Sequence, residues 1–429
     1  MSGITQLIES KAKPKAPATI PDDSPLVLVP AGTFRDLPGF ERTDAGRIKP
    51  HLNNLLAALA QAELSGFEIA YDTFKASTIV RVEGVVRAIT DDDLVAIRSR
   101  FEAGGKGFAP ISRELFRDAV LRCSNRNAFD SLRDGFIASL PAWDGKPRID
   151  RFYVDYFGAE DSEYVRSVGR YTWTALAGRA SEPGCQADMS PILVGPQGVG
   201  KSTGVAAMAP DPAMFAEVSF TTDDTDASRL LRGVVVAEIS ELRGLSTRDL
   251  ESVKQFITRK VERWIPKYQE REIEFPRRCI FFGTTNQDEF LGDDTGERRW
   301  LPVRVKQGGK DAIARDRLQL WAEGIAAFKA DGIAWQDAER LAKPIHAEYT
   351  IHDSWQEPIE RWLAGSDSLA SDAKPRDGFT MSELLAGALG LPSASKMADE
   401  KRAGRVLRRL GLTRRRVLSA GQRHVRWFR

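Results

Sequence analysis

Residues 191–203 read PILVGPQGVGKST, a short apolar run followed by a glycine-rich loop. The loop matches the pattern G-x-x-x-x-G-K-[ST] without departure, and it stands between a predicted strand and a predicted helix, as that pattern requires. We therefore expect nine residues to bind nucleotide phosphates: Gly195, Pro196, Gln197, Gly198, Val199, Gly200, Lys201, Ser202 and Thr203.

Each residue type in this loop has a chemical reason to be there. Glycines let successive backbone N–H groups point at phosphate oxygens, and the N-terminus of the following helix adds positive potential. Lys201 can reach the β- and γ-phosphates, and the Ser202 hydroxyl can ligate Mg²⁺. The loop thus predicts ATP and Mg²⁺ as cofactors, whereas hydrolysis needs further groups.

A carboxylate follows the next apolar run of the chain. Glu238 comes directly after Val234–Ala237, and Glu241 lies three residues further on. A carboxylate at a strand end can hold Mg²⁺ and help to orient the attacking water, so we expect Glu238 to act with Ser202 on the metal. The usual pattern has adjacent acids, and the division of labour between Glu238 and Glu241 therefore stays open.

Two more polar groups follow a third apolar run, residues 279–283. Asn286 is predicted to position the water beside the γ-phosphate, and an ordinary asparagine turn is the alternative. Arg298 and Arg299 lie in a turn that starts at Gly296 and can reach the nucleotide of a neighbouring subunit, where an arginine stabilises the charge of the transferring phosphoryl group. A surface pair with a nearby carboxylate is the other interpretation of these arginines.

Working outward, strands separated by helical segments imply an α/β fold, a parallel sheet covered by helices. Residues 1–50 hold 7 of the 22 prolines and are expected to form a mobile arm. The predicted units are an arm (1–50), a helical or α+β domain (51–150), an ATPase domain (151–365), a linker (366–378) and a basic C-terminal domain (379–429).

The composition is that of an ordinary globular protein, with 42% hydrophobic and 28% charged residues and a net charge of +2. This excludes a wholly disordered chain, a collagen-like fibre and a membrane-embedded protein. There is no apolar run of transmembrane length, the N-terminus does not read as a signal peptide, and three scattered cysteines suit a reducing compartment. We therefore expect a cytoplasmic protein with no membrane partner.

The last 34 residues carry 12 Lys or Arg against two acidic residues, which suggests a polyanionic partner. Two predicted helices, 381–391 and 403–410, and a β-hairpin around 419–422 fit a winged-helix-like fold. Arg414, Arg415 and Arg416 would then lie beside the second helix and bind nucleic acid. A helical packing domain with a basic solvated face is the alternative.

Taken in order, these motifs resemble those of the virulence-associated protein E family of phage, prophage and mobile-island ATPases. That family is similar to the superfamily 3 helicases of the AAA+ group. The similarity covers about residues 50–350 and rests on five segments: WDGKPRID (143–150), GPQGVGKS (195–202), EISEL (238–242), GTTN (283–286) and GERRW (296–300).

The resemblance implies a P-loop AAA+-like core in a homo-oligomeric ring, a hexamer, with ATP at subunit interfaces. It favours Arg298 or Arg299 as an arginine finger. It also implies that the segment 254–271 supplies a hairpin to the ring channel, where four residues would contact DNA; a solvated helix with core aromatics is the alternative. These residues are Lys260, Arg263, Lys267 and Tyr268.

Many relatives carry a primase-polymerase domain, and residues 1–50 are too short for one, so primer synthesis would need a separate primase as partner. The sequence thus predicts an ATP-dependent DNA helicase or translocase. It would act on single-stranded or forked DNA during replication of a phage or other mobile element in a bacterial host. The alternatives are an ATP-switched DNA-binding initiator or loader without processive unwinding and, further away, a protein-directed ATPase or small-molecule kinase.

Overall fold

In the computed structural model, twelve ranges of the chain are described. They are 39–62, 66–82, 85–104, 107–219, 224–239, 253–265, 272–291, 297–350, 353–365, 378–391, 397–419 and 422–428. Within these ranges no helix is both long and apolar enough to cross a bilayer. Most of the predicted arm and nearly all of the predicted linker lie outside them.

The N-terminal part is an α+β unit with a four-stranded sheet in the order β3-β2-β1-β4. Its elements are the helix Leu52–Leu59, β1 (Glu68–Asp72), β2 (Ser77–Val82), β3 (Val85–Ala88), the helices Asp91–Glu102 and Arg113–Arg126, and β4 (Ala128–Phe129). Local chemistry sets the helix ends, because Thr90 Oγ1 accepts from the Asp93 N–H while the Asp93 carboxylate accepts from the Thr90 N–H. This reciprocal capping box fixes the start of the helix Asp91–Glu102.

The segment 143–150 anchors the chain before it enters the central sheet. Asp144 accepts two hydrogen bonds from the Arg148 guanidinium, at 2.7 and 2.8 Å, which closes the turn on itself. The buried Glu323 carboxylate then accepts the backbone N–H groups of Arg148 and Ile149 at 2.8 and 3.2 Å. This motif therefore fastens the polypeptide to the long helix Lys310–Asp331.

A five-stranded sheet forms the centre, and all of its neighbouring strands run parallel in the order β11-β5-β10-β7-β6. Its strands and the short hairpin beside it are β5 (Ser190–Val194), β6 (Phe215–Val218), β7 (Val236–Ile239), β8 (Val261–Trp264), β9 (Ile273–Pro276), β10 (Ile280–Thr285) and β11 (Trp300–Arg304). The predicted α/β fold with a parallel sheet is confirmed. The strands β6 and β11 were not predicted.

Helices cover the sheet and seal its core. They are Phe152–Phe157, Glu163–Ser181, Lys201–Ala206, Asp224–Leu230, Lys310–Asp331 and Gln336–Tyr349. The indole rings of Trp173 and Trp321 meet edge to face with centroids 5.9 Å apart, which joins the two longest of these helices. Every residue of β5 is buried, so the strand that leads into the glycine-rich loop is held rigidly.

The C-terminal part has its own apolar core. It contains the helices Gln356–Ala364, Met381–Leu389 and Met397–Arg409 and the antiparallel hairpin of β12 (Thr413–Ser419) and β13 (Gln422–Phe428). Phe379 and Trp427 exchange backbone hydrogen bonds, which ties the segment just before the helix Met381–Leu389 to the last strand, β13. The second predicted helix is present but begins six residues earlier, at Met397.

A buried ion pair joins the N-terminal unit to the central sheet. Arg278, just before β10, donates to the Asp130 carboxylate at 2.6 Å, and both side chains are only 4% exposed. Arg278 also donates to the Ala180 carbonyl at 2.9 Å, and its guanidinium lies over the Phe74 ring. Each charge is compensated mainly by the other, because both side chains are buried and neither can be hydrated.

Replacing Asp130 with alanine should strip a buried arginine of its partner and lower the free energy of unfolding by about 3–5 kcal/mol. Urea denaturation followed by tryptophan fluorescence measures this change. Glu357→Gln is the matched control, because it removes an exposed partner of Arg361 and should cost less than about 1 kcal/mol. Equal losses in the two variants would contradict the assigned role of the buried pair.

Candidate nucleotide site

The glycine-rich loop begins where β5 ends, at the carboxyl edge of the sheet. The Gly195 N–H donates to the Thr285 carbonyl at 3.1 Å, so the loop is bonded to the end of the neighbouring strand β10. Gly198 and Gly200 have φ angles of +83° and +87°, a left-handed backbone that favours glycine. The loop conformation therefore follows from the positions of its glycines.

Gly308, which follows β11, has no side chain and therefore lets the chain lie directly against this loop. A Cβ atom on Gly308 would lie 1.9 Å from the Gly200 carbonyl oxygen, far inside van der Waals contact. Behind the loop, a Cβ on Gly204 would lie 2.7 Å from the Phe157 ring. The loop is thus fitted between two surfaces that leave no room for a methyl group.

Glu238 occupies the centre of the site and is 1% exposed. Its Oε1 accepts hydrogen bonds from the Ser202 and Thr284 hydroxyls, both at 2.6 Å. Its Oε2 is buried and has no hydrogen-bond partner. Burial raises the pKa of this carboxyl above its ordinary value, against the two hydroxyl bonds, which lower it. The carboxylate joins the loop, β7 and β10 and leaves one oxygen for a ligand.

Lys201 lies at the mouth of the loop. Its Nζ donates to the carbonyl oxygens of Gly195 and Pro196, both at 2.8 Å. Partial burial lowers the pKa of this ammonium group, and the nearby Glu238 charge opposes that shift. The ammonium is held by neutral carbonyls, so it remains available to an anionic ligand.

These groups line a cleft of about 490 Å³. Its walls are formed by Gln197, Gly198, Gly200, Lys201, Ser202, Thr203, Glu217, Glu238, Thr284, Thr285 and Asn286. Asn286 is exposed at the end of β10, as a water-positioning amide would need to be. The structure therefore brings together the predicted loop, Glu238 and Asn286.

Three residues of this cleft were not predicted as site residues from the sequence: Glu217, Thr284 and Thr285. Thr284 is the second hydroxyl donor to Glu238. Glu217 is the register partner of Glu238 on the neighbouring strand β6, which places two carboxylates side by side at the cleft. The signal for Glu217 was the short run Phe215–Val218, which becomes a strand only when its neighbours are known. Glu241 lies outside the described residues.

The donor set of the cleft fits ATP with Mg²⁺. Mg²⁺ takes oxygen ligands and is usually held by one or two carboxylates together with substrate phosphates and water. The Ser202 hydroxyl and the unpartnered Oε2 of Glu238 are such ligands, and Lys201 would meet the phosphates. In the described ranges no group of three or more His, Cys, Asp or Glu forms a metal cage, and this ion does not need one.

Arg298 and Arg299 lie at the amino-terminal ends of the strands, whereas the phosphate loop lies at their carboxyl ends. They precede Trp300, which pairs with Ser190 at the start of β5, whereas the loop follows the end of that strand. The length of β5 separates them from the loop by roughly 15 Å. Arg298 pairs with Glu339 at 3.6 Å, the Arg299 Nε is buried without a partner, and both line a cavity of about 460 Å³. Neither arginine can reach the phosphate loop of its own chain.

The predicted DNA-contacting segment 254–271 begins in a short helical stretch, residues 253–257, and continues into β8. This strand pairs antiparallel with β9, which follows the segment, so a hairpin is present. Lys260 is exposed just before β8, and Arg263 pairs with Glu274 at 2.6 Å. Trp264 is buried against Phe275 and supports the hairpin instead of presenting a stacking face. Lys267 and Tyr268 lie outside the described residues.

In the C-terminal unit, the three predicted arginines lie in the first strand of the hairpin, β12. Arg414 and Arg416 are exposed on one face of this strand. Arg415 points to the other face, where its guanidinium lies 5.7 Å from the centroid of the Phe428 ring. Only two of the three are thus presented to a partner in the same direction.

The fold and the cleft define an α/β protein with a phosphate-loop motif at the carboxyl edge of a parallel sheet. The model of the virulence-associated protein E-like domain matches residues 137–351, half of the chain, and the chain belongs to this family. A comparison with curated proteins gives no match.

Two solved structures of the C-terminal region of NrS-1 are similar to the chain. An apo structure of residues 305–718 in its A form has a TM-score of 0.50 at 13% identity, covering 88% of this chain and 98% of that one. Another apo structure has a TM-score of 0.49 at 13% identity, covering 84% and 95%. At such low identity the likeness concerns the fold alone.

Gly308→Ala should weaken nucleotide binding by about tenfold or more, although residue 308 bears no side chain that touches phosphate. The added methyl must displace the loop, and a displacement on the order of 1 Å at such a site costs about 100-fold in rate. Titration with a fluorescent ATP analogue measures the affinity. Gly135→Ala is the control, since a Cβ there meets nothing within 4 Å. Equal affinity in the two variants would show that the loop is not seated by Gly308.

Proposed function

We propose that this protein is an ATP-dependent, Mg²⁺-requiring DNA helicase or translocase with an AAA+-like core, active in replication of a phage or other mobile element. One observation carries the proposal. Ser202 and Thr284 fix Glu238 beside Lys201 with one carboxylate oxygen unpartnered. This is the arrangement that ATP with its metal requires at the end of a phosphate loop.

In this proposal each side chain of the cleft has one task in hydrolysis. The loop N–H groups and Lys201 neutralise charge on the phosphates. Glu238, with Ser202, would hold Mg²⁺, which supplies charge neutralisation when bound. Asn286 orients the attacking water, and Glu217 is placed to assist Glu238 from the adjacent strand.

The arginine pair requires a second subunit. Because Arg298 and Arg299 lie at the far edge of the sheet, they act only on a nucleotide held by a neighbouring chain. This supports a closed homo-oligomer, a hexamer in our proposal, with ATP at each interface. An arginine supplied in this way is worth about 10³ to 10⁵ in turnover.

DNA is the proposed track of this motor. The β8–β9 hairpin, with Lys260 beside it and Lys267 and Tyr268 between its strands in sequence, would contact single-stranded or forked DNA in the channel. The C-terminal unit, with Arg414 and Arg416, has the element order of a winged helix. We place the protein in the cytoplasm of a bacterial host, with a separate primase as partner.

A second candidate is an ATP-switched initiator or loader that binds DNA without processive unwinding. It is favoured by the spacing of Glu238 and Glu241, which departs from the usual adjacent acids, and by the separate basic unit at the C-terminus. Slow hydrolysis with nucleotide-dependent DNA binding but no strand separation would favour this function.

The test is steady-state ATP hydrolysis at fixed salt, with and without single-stranded DNA, followed by strand separation on a forked duplex. Lys201→Ala is the blank, because it removes the charge that meets the β- and γ-phosphates. Strong stimulation with strand separation would support the motor. Hydrolysis unchanged by DNA, with no strand separation, would contradict it.

Mixing variants tests whether the arginines act between subunits. The double variant Arg298→Ala/Arg299→Ala and the variant Lys201→Ala should each lose at least about 10³ in turnover, and mixed rings should regain part of it. The recovery arises where an intact arginine pair of one subunit faces an intact loop of the next.

Lys201→Ala mixed with Glu238→Gln is the matched control. Both substitutions damage the same cleft, but a subunit bearing either one still carries intact arginines, so no pairing of these subunits restores a complete site. Recovery in this control, or full activity of the double arginine variant alone, would contradict the assignment.

A further inference from the structure

The helix Met397–Arg409, called the basic helix from here, presents a row of cations that the sequence analysis did not single out. Lys401, Arg405 and Arg408 are all exposed, and their spacing of four and three residues places them on one face. The opposite face is apolar and buried in the C-terminal core. The exposed row is therefore fixed in direction by the packing of the helix.

The hairpin turns its own cations toward the same helix. Arg414 and Arg416 pair in register with Trp427 and Val425, and directly opposite residues of an antiparallel pair share a face. The Trp427 ring covers Gly404 of the basic helix, 3.6 Å from where a Cβ would stand. The hairpin face that carries Arg414 and Arg416 is thus the face turned to the basic helix.

The helical row begins close to this contact. On an ideal helix, Arg408, Lys401 and Arg405 lie about 40°, 60° and 100° around the axis from Gly404. Of the two acidic residues of this helix, Asp399 lies about 140° from Gly404, and Glu400 lies about 40° from it on the side away from the three cations. Cations of the helix and of the hairpin therefore lie on two sides of the contact between Gly404 and Trp427, called the junction from here.

These five cations form no ion pair within the described ranges, unlike many exposed arginines of this chain. The paired ones include Arg151, Arg166, Arg229, Arg304, Arg340 and Arg361. Arg402 of the basic helix shows the contrast, because it is held by Asp353 at 2.7 Å and stacks on Trp355. Asp353 is close enough to Arg405 for that charge to help lower the pKa of its carboxyl, but Arg402 is its ion-pair partner, and the five cations leave the junction with an excess of positive charge.

We propose that the basic helix and the facing side of the hairpin form a binding surface for the phosphate backbone of double-stranded DNA, independent of nucleotide. The inference rests on the proposed action on DNA and adds a second, duplex-specific site. A helix and a two-stranded ribbon can each approach a duplex groove while their cations neutralise phosphates.

Single-stranded DNA is a poorer match for this surface. Binding of single strands uses exposed aromatic rings on which bases stack. Here Trp427 and Phe379 are buried, the Trp362 ring meets Phe379 edge to face, and Phe428 is covered by Arg415. The surface offers cations without a stacking platform, which suits a duplex backbone.

The experiment measures binding of the full-length protein to a labelled duplex of about 25 base pairs, more than two helical turns. Fluorescence anisotropy is recorded without nucleotide between about 50 and 200 mM salt, with a single strand of equal length in parallel. The test variant is Lys401→Ala/Arg405→Ala/Arg408→Ala. The control removes three exposed cations elsewhere: Arg122, Lys329 and Lys343.

We expect the test variant to lose duplex affinity on the order of tenfold or more, with a salt slope smaller by roughly 0.9 per contact removed. Single-strand affinity and DNA-free ATP hydrolysis should stay at the wild-type level. Unchanged duplex affinity, absence of duplex binding by the wild type, or an equal loss for both DNA forms or in the control overturns the proposal. Absent ATP hydrolysis with the expected duplex loss would instead refute the motor and support this surface.

Discussion

The candidate nucleotide site depends on the hydrogen bonds of the buried Glu238 carboxylate. Its Oε1 joins the Ser202 hydroxyl, from the phosphate loop, to the Thr284 hydroxyl, from the adjacent strand β10. Burial of a carboxylate is costly unless the group accepts hydrogen bonds. Here Oε1 accepts two, and Oε2 has no partner. The parallel sheet brings these three segments together, since strands that run the same way end at the same edge.

Local patterns in the sequence were enough to predict the phosphate loop and the strand that carries Glu238. Their chemistry lies within a few consecutive residues. The strand β11 was missed because Pro302 interrupts its pattern, and a proline is acceptable there since β11 lies at the sheet edge. Glu217 was missed for a related reason: its strand has four residues and is recognisable only beside β7.

Contacts between segments that are distant in the sequence determine the features that could not be predicted from local patterns. The position of Arg298 and Arg299, away from the phosphate loop of their own chain, depends on how β11 aligns with β5, a contact between segments about a hundred residues apart. Of the cations of the basic helix, only Lys401 lies outside the helix predicted from the sequence, which began at Ala403. Its true start at Met397 adds the turn that carries Lys401 and extends the row.

The anchoring of segment 143–150 has a consequence for how this region can vary. Glu323 holds the segment through the main-chain amides of residues 148 and 149, and every amino acid except proline offers such an amide. The two hydrogen bonds to Glu323 therefore depend on the backbone conformation of residues 148 and 149 and not on their side chains. Ile149 is itself 1% exposed in the hydrophobic core, so its replacement must be apolar and of similar size, whereas the hydrogen bonds to Glu323 make no further demand on the side chain.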